Sequence, residues 1–231
     1  MALLLCLETS TPLCSVALAE NEQVLALQEV DNDRNVHAEK LNIFVDDVLL
    51  RTGRSLKDVA AVAVGTGPGS YTGLRIGLSA AKGYAYALGI PIMGIPTLTT
   101  LCSALRSSGS NTGDMELWPM IDARRMEVYS APHSMDGVAV RPTAPLLLDA
   151  ELEKNWATGP RRMVFGNGAD KAVHYWERMA LVDHVPGIRP TAGAMAALAH
   201  ARYLEKDFDD VAYLVPEYGK EARVVPGRKA F

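Results

Sequence analysis

Hydrophobic residues come first in short blocks and then in helical stripes. Residues 2–8, 13–19 and 23–30 are apolar or alternating stretches, parted by Thr9-Ser10-Thr11-Pro12 and Glu20-Asn21-Glu22. Short apolar blocks between turn-forming residues predict strands, and three strands with tight connections predict an antiparallel meander. Over His37–Thr52 the pattern changes, with Leu41, Phe44, Val45 and Val48 recurring at the period of a helix. Gly53 closes that helix, and Asp33 or Asn35 is placed to cap its start. A buried strand over 59–64 leads into the turn Gly65-Thr66-Gly67-Pro68-Gly69-Ser70, a helix over Tyr71–Leu88 and a strand over 91–95. The predicted order is β-β-β-α-β-α-β.

That order excludes a doubly wound dinucleotide fold, in which strand and helix alternate from the start. A meander followed by crossover strands predicts a mixed sheet. The arrangement resembles one lobe of the actin, sugar-kinase and Hsp70 fold. In the second half, strands over 117–122 and 127–131 predict a hairpin around 123–126, and 138–148, broken by Pro142 and Pro145, predicts an edge or loop. A short strand over 163–165 ends at Gly166-Asn167-Gly168, ahead of a helix running through Trp176, and an alanine-rich helix spans Ala192–Glu205. The Ser-, Gly- and Asn-rich stretch 103–114 predicts the boundary between an N-terminal lobe, 1–103, and a smaller C-terminal lobe, 104–231.

A chain of 231 residues allows one large domain or two lobes with cores of their own. With 48% hydrophobic and 22% charged residues, it reads as globular rather than disordered. The apolar runs are too short to cross a bilayer, and Glu8 interrupts the first of them before a secretory signal can form. The chain therefore reads as soluble and cytoplasmic, with no membrane partner. Cys6, Cys14 and Cys102 have no CxxC spacing and read as reduced, small hydrophobes. Lys and Arg total 23 against 27 Asp and Glu, a net charge of −4, which is a poor footprint for gripping nucleic acid alone. Arg124 with Arg125, Arg161 with Arg162, and the tail Lys220, Arg223, Arg228 and Lys229 read as solvated surface. RNA, if met at all, is met beside a partner.

The glycine turn supports two readings that these residues alone leave level. Free amides at a helix N-terminus behind such a turn can hold a phosphate, which would involve Gly67, Gly69 and Ser70; equally, the glycines can serve only a tight strand-to-helix turn. The Walker A, GxGxxG and GxSxG templates all fail here. In the helix that follows, Leu74, Leu78, Ala81, Ala85 and Leu88 are spaced 4, 3, 4, 3, a seam suited to pairing with another helix. The first helix also carries apolar residues off its main stripe, Ile43 and Leu50. Two such helices side by side predict either a helical interface or a seam that packs on its own sheet.

The run GPGSYTGLRIGLSAAKG, from Gly67 to Gly83, resembles the signature of the bacterial TsaB (YeaZ) family, with Tyr71 where Phe is common. LCLETSTPLCSVAL at the start, GIPTLTTL from Gly94 to Leu101, and Ile121-Asp122-Ala123-Arg124 with Glu127-Val128-Tyr129 resemble further segments of that family in the same order. Pro216-Glu217-Tyr218 resembles a Pro-x-Tyr element near its end, although Gly219-Lys220 departs from the usual continuation.

The resemblance implies an actin-like (ASKHA, ribonuclease H-like) α/β fold of two lobes with mixed sheets, the second reduced. It implies a non-catalytic subunit that pairs with the TsaD transferase, with the ATPase TsaE, in forming N6-threonylcarbamoyladenosine at position 37 of tRNAs that read ANN codons. Contact with tRNA would then be indirect. Pairing would run through the first two helices, with Leu41, Phe44, Val45, Val48, Leu74, Leu78, Ala81 and Ala85 as candidate interface residues, and a homodimer could use the same helices.

The catalytic relative holds a metal with two histidines four apart on a helix; aligned at Gly94, this chain has Thr97 and Leu101 in those places. His37, His133, His174, His184 and His200 show no HxxxH or HExxH spacing. No metal, cofactor or catalytic residue is expected. Actin-like ATPases carry Asp on the first strand, where this chain has Glu8, so Glu8, Thr9, Ser10, Thr11, Gly67, Gly69 and Ser70 are expected to form at most a vestigial phosphate or nucleotide site. The alternatives are a small actin-like ATPase or kinase, or a peptidase acting on partner subunits.

Overall fold

The first strand, β1 (Leu3–Glu8), is apolar along its whole length because both of its faces are covered. Leu3, Leu5 and Leu7 are buried on one side and Leu4 and Cys6 on the other, the two-residue alternation of a strand inside a layered fold. The computed structural model describes residues 1–31 and 36–219. After β1 come β2 (Leu13–Glu20), β3 (Gln23–Asp31), α1 (His37–Thr52), β4 (Ala61–Gly67), α2 (Tyr71–Leu88), β5 (Ile92–Pro96) and α3 (Thr97–Ser107). The expected capping residues of α1, Asp33 and Asn35, lie outside the described residues.

The first sheet has the order β3-β2-β1-β4-β5, with β1–β2 and β2–β3 antiparallel and β1–β4 and β4–β5 parallel. This is the mixed sheet expected of an actin-like lobe. On one face, α1 and α2 bury Leu41, Val45, Val48, Leu78 and Ala81 against Leu3, Leu5, Val16 and Val62. Gly53 and Gly89 end the two helices in the left-handed region at φ 65° each.

The second sheet repeats the first. Its strands are β6 (Glu116–Asp122), β7 (Glu127–Ser130), β8 (Ala144–Leu147), β9 (Arg162–Phe165) and β10 (Val182–Val185). The order is β10-β9-β6-β7-β8, with β6–β7 and β7–β8 antiparallel and β6–β9 and β9–β10 parallel. Taken in chain order, each sheet runs third, second, first, fourth, fifth. The second lobe is therefore reduced in strand length rather than in strand number. Its outer face packs Trp118, Trp156, Tyr175 and Trp176 with the short helices α4 (Ala150–Trp156), α5 (Asn167–Asp170) and α6 (Val173–Trp176). The expected helix through Trp176 is thus split in two.

Between the sheets lie α3 and the last helix, α7 (Ala192–Glu205). Leu98, Leu101, Cys102 and Leu105 of α3 face Leu117, Ile121, Met163 and Phe165 of the second sheet. Ala192, Met195 and Ala199 of α7 pack on Leu4, Cys6, Ala63 and Met93 of the first. The Ser15 hydroxyl on β2 accepts from the Ala192 amide at 2.8 Å and donates to Glu29 at 2.6 Å, tying the start of α7 to the first sheet. The chain thus returns to its first sheet after building the second, and a cut between 103 and 104 assigns α7 to the other lobe. The expected boundary stretch 103–114 also begins inside α3, whose apolar positions at i, i+3, i+4 and i+7 are interleaved with Thr and Ser.

Candidate functional site

Two surfaces gather the residues singled out in the sequence. One is the junction of the β1–β2 turn with the glycine turn; the other is the outward face of α1 and α2.

At the junction, the turn after β1 seats directly on the first turns of α2. Ser70 donates its amide to the Ser10 carbonyl at 2.7 Å, and the Thr9 hydroxyl donates to the Gly73 carbonyl at 2.8 Å. Ser70 also caps α2, its hydroxyl accepting from the Gly73 amide at 3.2 Å. Two of the amides that an anion could use, those of Ser70 and Gly73, are therefore already bonded within the chain. Glu8 is wholly buried, with one carboxylate oxygen accepting from the Ser10 amide at 2.7 Å and the other against Gly65 without a partner. Burial pushes its pKa up to about 7, and hydrogen bonding from Ser10 and Thr9 pulls the other way.

What remains open is a cleft of about 450 Å³ between the lobes. Ser10, Thr11, Gly69 and Ser70 line it from the first lobe, with Asp122, Arg124 and Asn167 from the second. The Thr11 hydroxyl is buried with no partner, and the Ser10 hydroxyl lies by the Glu8 carboxyl outside hydrogen-bond geometry. Of the seven residues expected at a vestigial phosphate site, Glu8, Thr9 and Gly67 do not line this cleft. Gly67 instead sits under the C-terminal segment: at φ 111° it leaves no room for a side chain beside the Glu217 carbonyl, and the Glu217 amide donates to the Thr66 carbonyl at 2.8 Å. Tyr218 then lies on Tyr71, ring centroids 4.7 Å apart, and Gly219 packs on Tyr129 of the second lobe. Residues 209–219 form a strap along β5 and across the glycine turn, beginning with the bridge of Asp209 to Ile92. Only its Pro-Glu-Tyr element left a mark in the sequence.

On the helical face the structure corrects the expected interface residues. Leu41, Phe44, Val45, Val48, Leu74, Leu78, Ala81 and Ala85 are all buried within the chain. The seam packs on its own sheet, because the 4-3-4-3 spacing describes one inward stripe and the sheet is what it meets. The outward residues are others on the same helices: Ile43, Leu50, Tyr71 and Tyr86 are 56%, 81%, 57% and 85% exposed. Single exposed apolar residues are ordinary, but four on two neighbouring helices mark an outward face rich in apolar and aromatic side chains. The off-stripe Ile43 and Leu50 were the signal for it; nothing in the period marked the tyrosines. A groove of about 610 Å³ runs between the helices, with Leu41, Ile76 and Ala80 among its lining.

Thr97 opens α3 and Leu101 lies one turn on; both are buried, Leu101 among Ile121 and Phe165. Among the described residues, no group of three or more His, Cys, Asp or Glu converges. Burial pushes the thiols of Cys6 and Cys102 up to about 12 and that of Cys14 to about 11, far from nucleophilic at neutral pH. Among the described residues, no Ser, Thr or Cys bonds to a histidine ring; His133 meets the Ala131 carbonyl, and His174 and His184 meet Glu177 and Asp170. Arg161 pairs with Asp183 at 2.7 Å, and Arg162 is buried with its guanidinium 4.8 Å from the Trp156 ring, so that pair is not a free basic patch. No helix among the described residues is long and apolar enough to cross a membrane.

The model of the family described as TsaD, tRNA N6-adenosine threonylcarbamoyltransferase, matches residues 31–143. The tRNA threonylcarbamoyladenosine biosynthesis protein TsaB of Escherichia coli K12 is 38% identical over 134 residues, covering 58% of this chain and 55% of that protein. The protein of that description in Bacillus subtilis 168 is 28% identical over 226 residues, 93% of each chain. The structure of YeaZ from Pseudomonas aeruginosa superposes with a TM-score of 0.75 at 28% identity, covering 94% of this chain and all of that one. With its ordered sequence segments, its two matching sheets and relatives aligned from end to end, the chain belongs to the TsaB (YeaZ) family.

Proposed function

We propose that this chain is a non-catalytic subunit in the formation of N6-threonylcarbamoyladenosine in tRNA, pairing with a TsaD-type transferase beside a TsaE-type ATPase. Relatives named for that biosynthesis support the process. The observation that carries the subunit role is the outward face of α1 and α2, which exposes apolar side chains beside a groove lined in part by Leu41, Ile76 and Ala80. Leu101, buried in a hydrophobic layer, cannot ligate a metal, and the buried Thr97 hydroxyl is no replacement for a histidine, which favours support of an enzyme over independent transfer chemistry. A homodimer of the free chain would use the same face, and tRNA would be met through the complex.

Reconstitution tests this. TsaD and TsaE with this chain should form the modified nucleoside, and without it the rate should fall to background. Equal rates with and without the chain overturn the proposal. A second reading, a small ATPase, draws on the interlobe cleft and its unpartnered Thr11 hydroxyl. Calorimetry of the chain alone with ATP and magnesium separates the two, because a scaffold should give no binding heat at millimolar nucleotide.

A further inference from the structure

The groove between α1 and α2 is not a plain apolar slot. Its rim and floor include His37, Asn42, Tyr71, Thr72, Arg75 and Ser79, and among the described residues no acidic one lines it. Arg75 donates to the Tyr71 hydroxyl at 3.0 Å and places its guanidinium 5.2 Å from that ring, yet it has no carboxylate partner among the described residues. A guanidinium already held by a neighbouring ring loses little freedom on meeting a planar anion.

His37 supplies the second observation. Its ring is 1% exposed and lines the groove, and neither nitrogen has a hydrogen-bond partner. The Thr11 backbone lies near it outside hydrogen-bond geometry. Buried ring nitrogens are ordinarily satisfied, so a pair left open at the floor of a groove marks a place for a polar group from outside. A neutral imidazole offers one N–H donor, and the Thr72 and Ser79 hydroxyls offer others.

We propose that this groove receives an acidic side chain of the partner subunit, gripped by the Arg75 guanidinium and hydrogen-bonded by His37. The inference rests on reading the α1–α2 face as the partner-binding surface. Charge complementarity selects the occupant: among the described lining residues Arg75 is the one Lys or Arg and none is acidic, so on a chain whose net charge is −4 this groove favours a carboxylate. The apolar lining of Leu41, Ile76 and Ala80 suits the stem of a side chain better than a hydrated ion.

The test titrates a TsaD-type subunit against the full chain at several salt concentrations. Arg75→Gln should weaken binding by about thirtyfold or more and flatten its salt dependence, Arg75→Lys should restore only part of the loss, and His37→Gln should weaken it less. Arg75 is exposed, so the fold is kept, and circular dichroism checks it. If Arg75→Gln binds like wild type while Leu50→Glu abolishes binding, the acidic anchor is overturned and the face reading stands. If neither variant alters binding, the face reading fails and the anchor with it. Displacement of the subunit by millimolar inorganic phosphate or ATP would assign the groove to a small anion and equally overturn the proposal.

Discussion

Glu8 and Gly65 occupy one space: the unpartnered Glu8 carboxylate oxygen lies where a Gly65 side chain would stand. The longer acid thus fills its own surroundings, taking the Ser10 amide and leaning on the neighbouring strand. Gly65→Ala should cost about 1–3 kcal/mol, the usual range for overpacking a closed core. In a Glu8→Asp background, where the carboxylate is withdrawn by one methylene, the cost should shrink. Urea denaturation of the four proteins in this cycle reads the coupling, and equal costs in both backgrounds would show that the two residues do not compete.

The same acid sets a pH dependence. With a folded pKa of about 7 against the ordinary carboxyl value of 4.5, the native state binds more protons than the unfolded chain between those values. Stability contributed by Glu8 is therefore full below the unfolded pKa, declines as pH rises towards 7, and stays lost above. Glu8→Gln, which cannot ionise, should be more stable than wild type at pH 8 by an amount on the order of 3 kcal/mol, and equal to it near pH 4. Thermal melts of both proteins across that range check the sign; a wild type more stable at pH 8 would refute it.

The buried seam and the exposed side chains on α1 and α2 should part cleanly under mutation. Leu74→Glu places an unpaired charge in the core and should unfold the chain, so lost binding there reports nothing about a partner. Leu50→Glu and Tyr86→Glu lie in solvent and should leave stability within about 0.5 kcal/mol. Both should nonetheless abolish co-purification with a TsaD-type subunit. Retained binding by both would move the interface off this face.

The fold was legible wherever one face of an element repeats a period. β1 to β5, α1, α2 and α7 follow apolar runs and stripes closely. Burial direction was less legible, because a helical stripe tells which residues share a face without telling what that face meets; Leu78 and Ala81 met their own sheet. The helix α3 was hidden by Thr and Ser between its apolar positions, residues that favour caps and turns in isolation. The strand β10 was missed because Asp183 and His184 interrupt its apolar ends. His37 and Arg75 escaped notice as a pair because only the packing of two helices 34 residues apart in their starts, at His37 and Tyr71, brings them to one groove.

The strap over the glycine turn supplies the last prediction. Glu217 bonds to Thr66, and Tyr218 covers Tyr71 at the start of α2, so the strap fixes the turn from which α2 sets out and the ring that holds Arg75. Removing one ring of such a pair costs about 0.5–1.5 kcal/mol beyond the lost burial. Tyr218→Ala should therefore lower global stability only modestly. Its larger effect should be local: amides of residues 66–72 should exchange with solvent faster, while those of the β1–β2 pairing keep their protection. Hydrogen exchange read by mass spectrometry resolves the two regions. Exchange unchanged over 66–72 would mean that the turn holds its shape without the strap, and that Tyr71 positions Arg75 unaided.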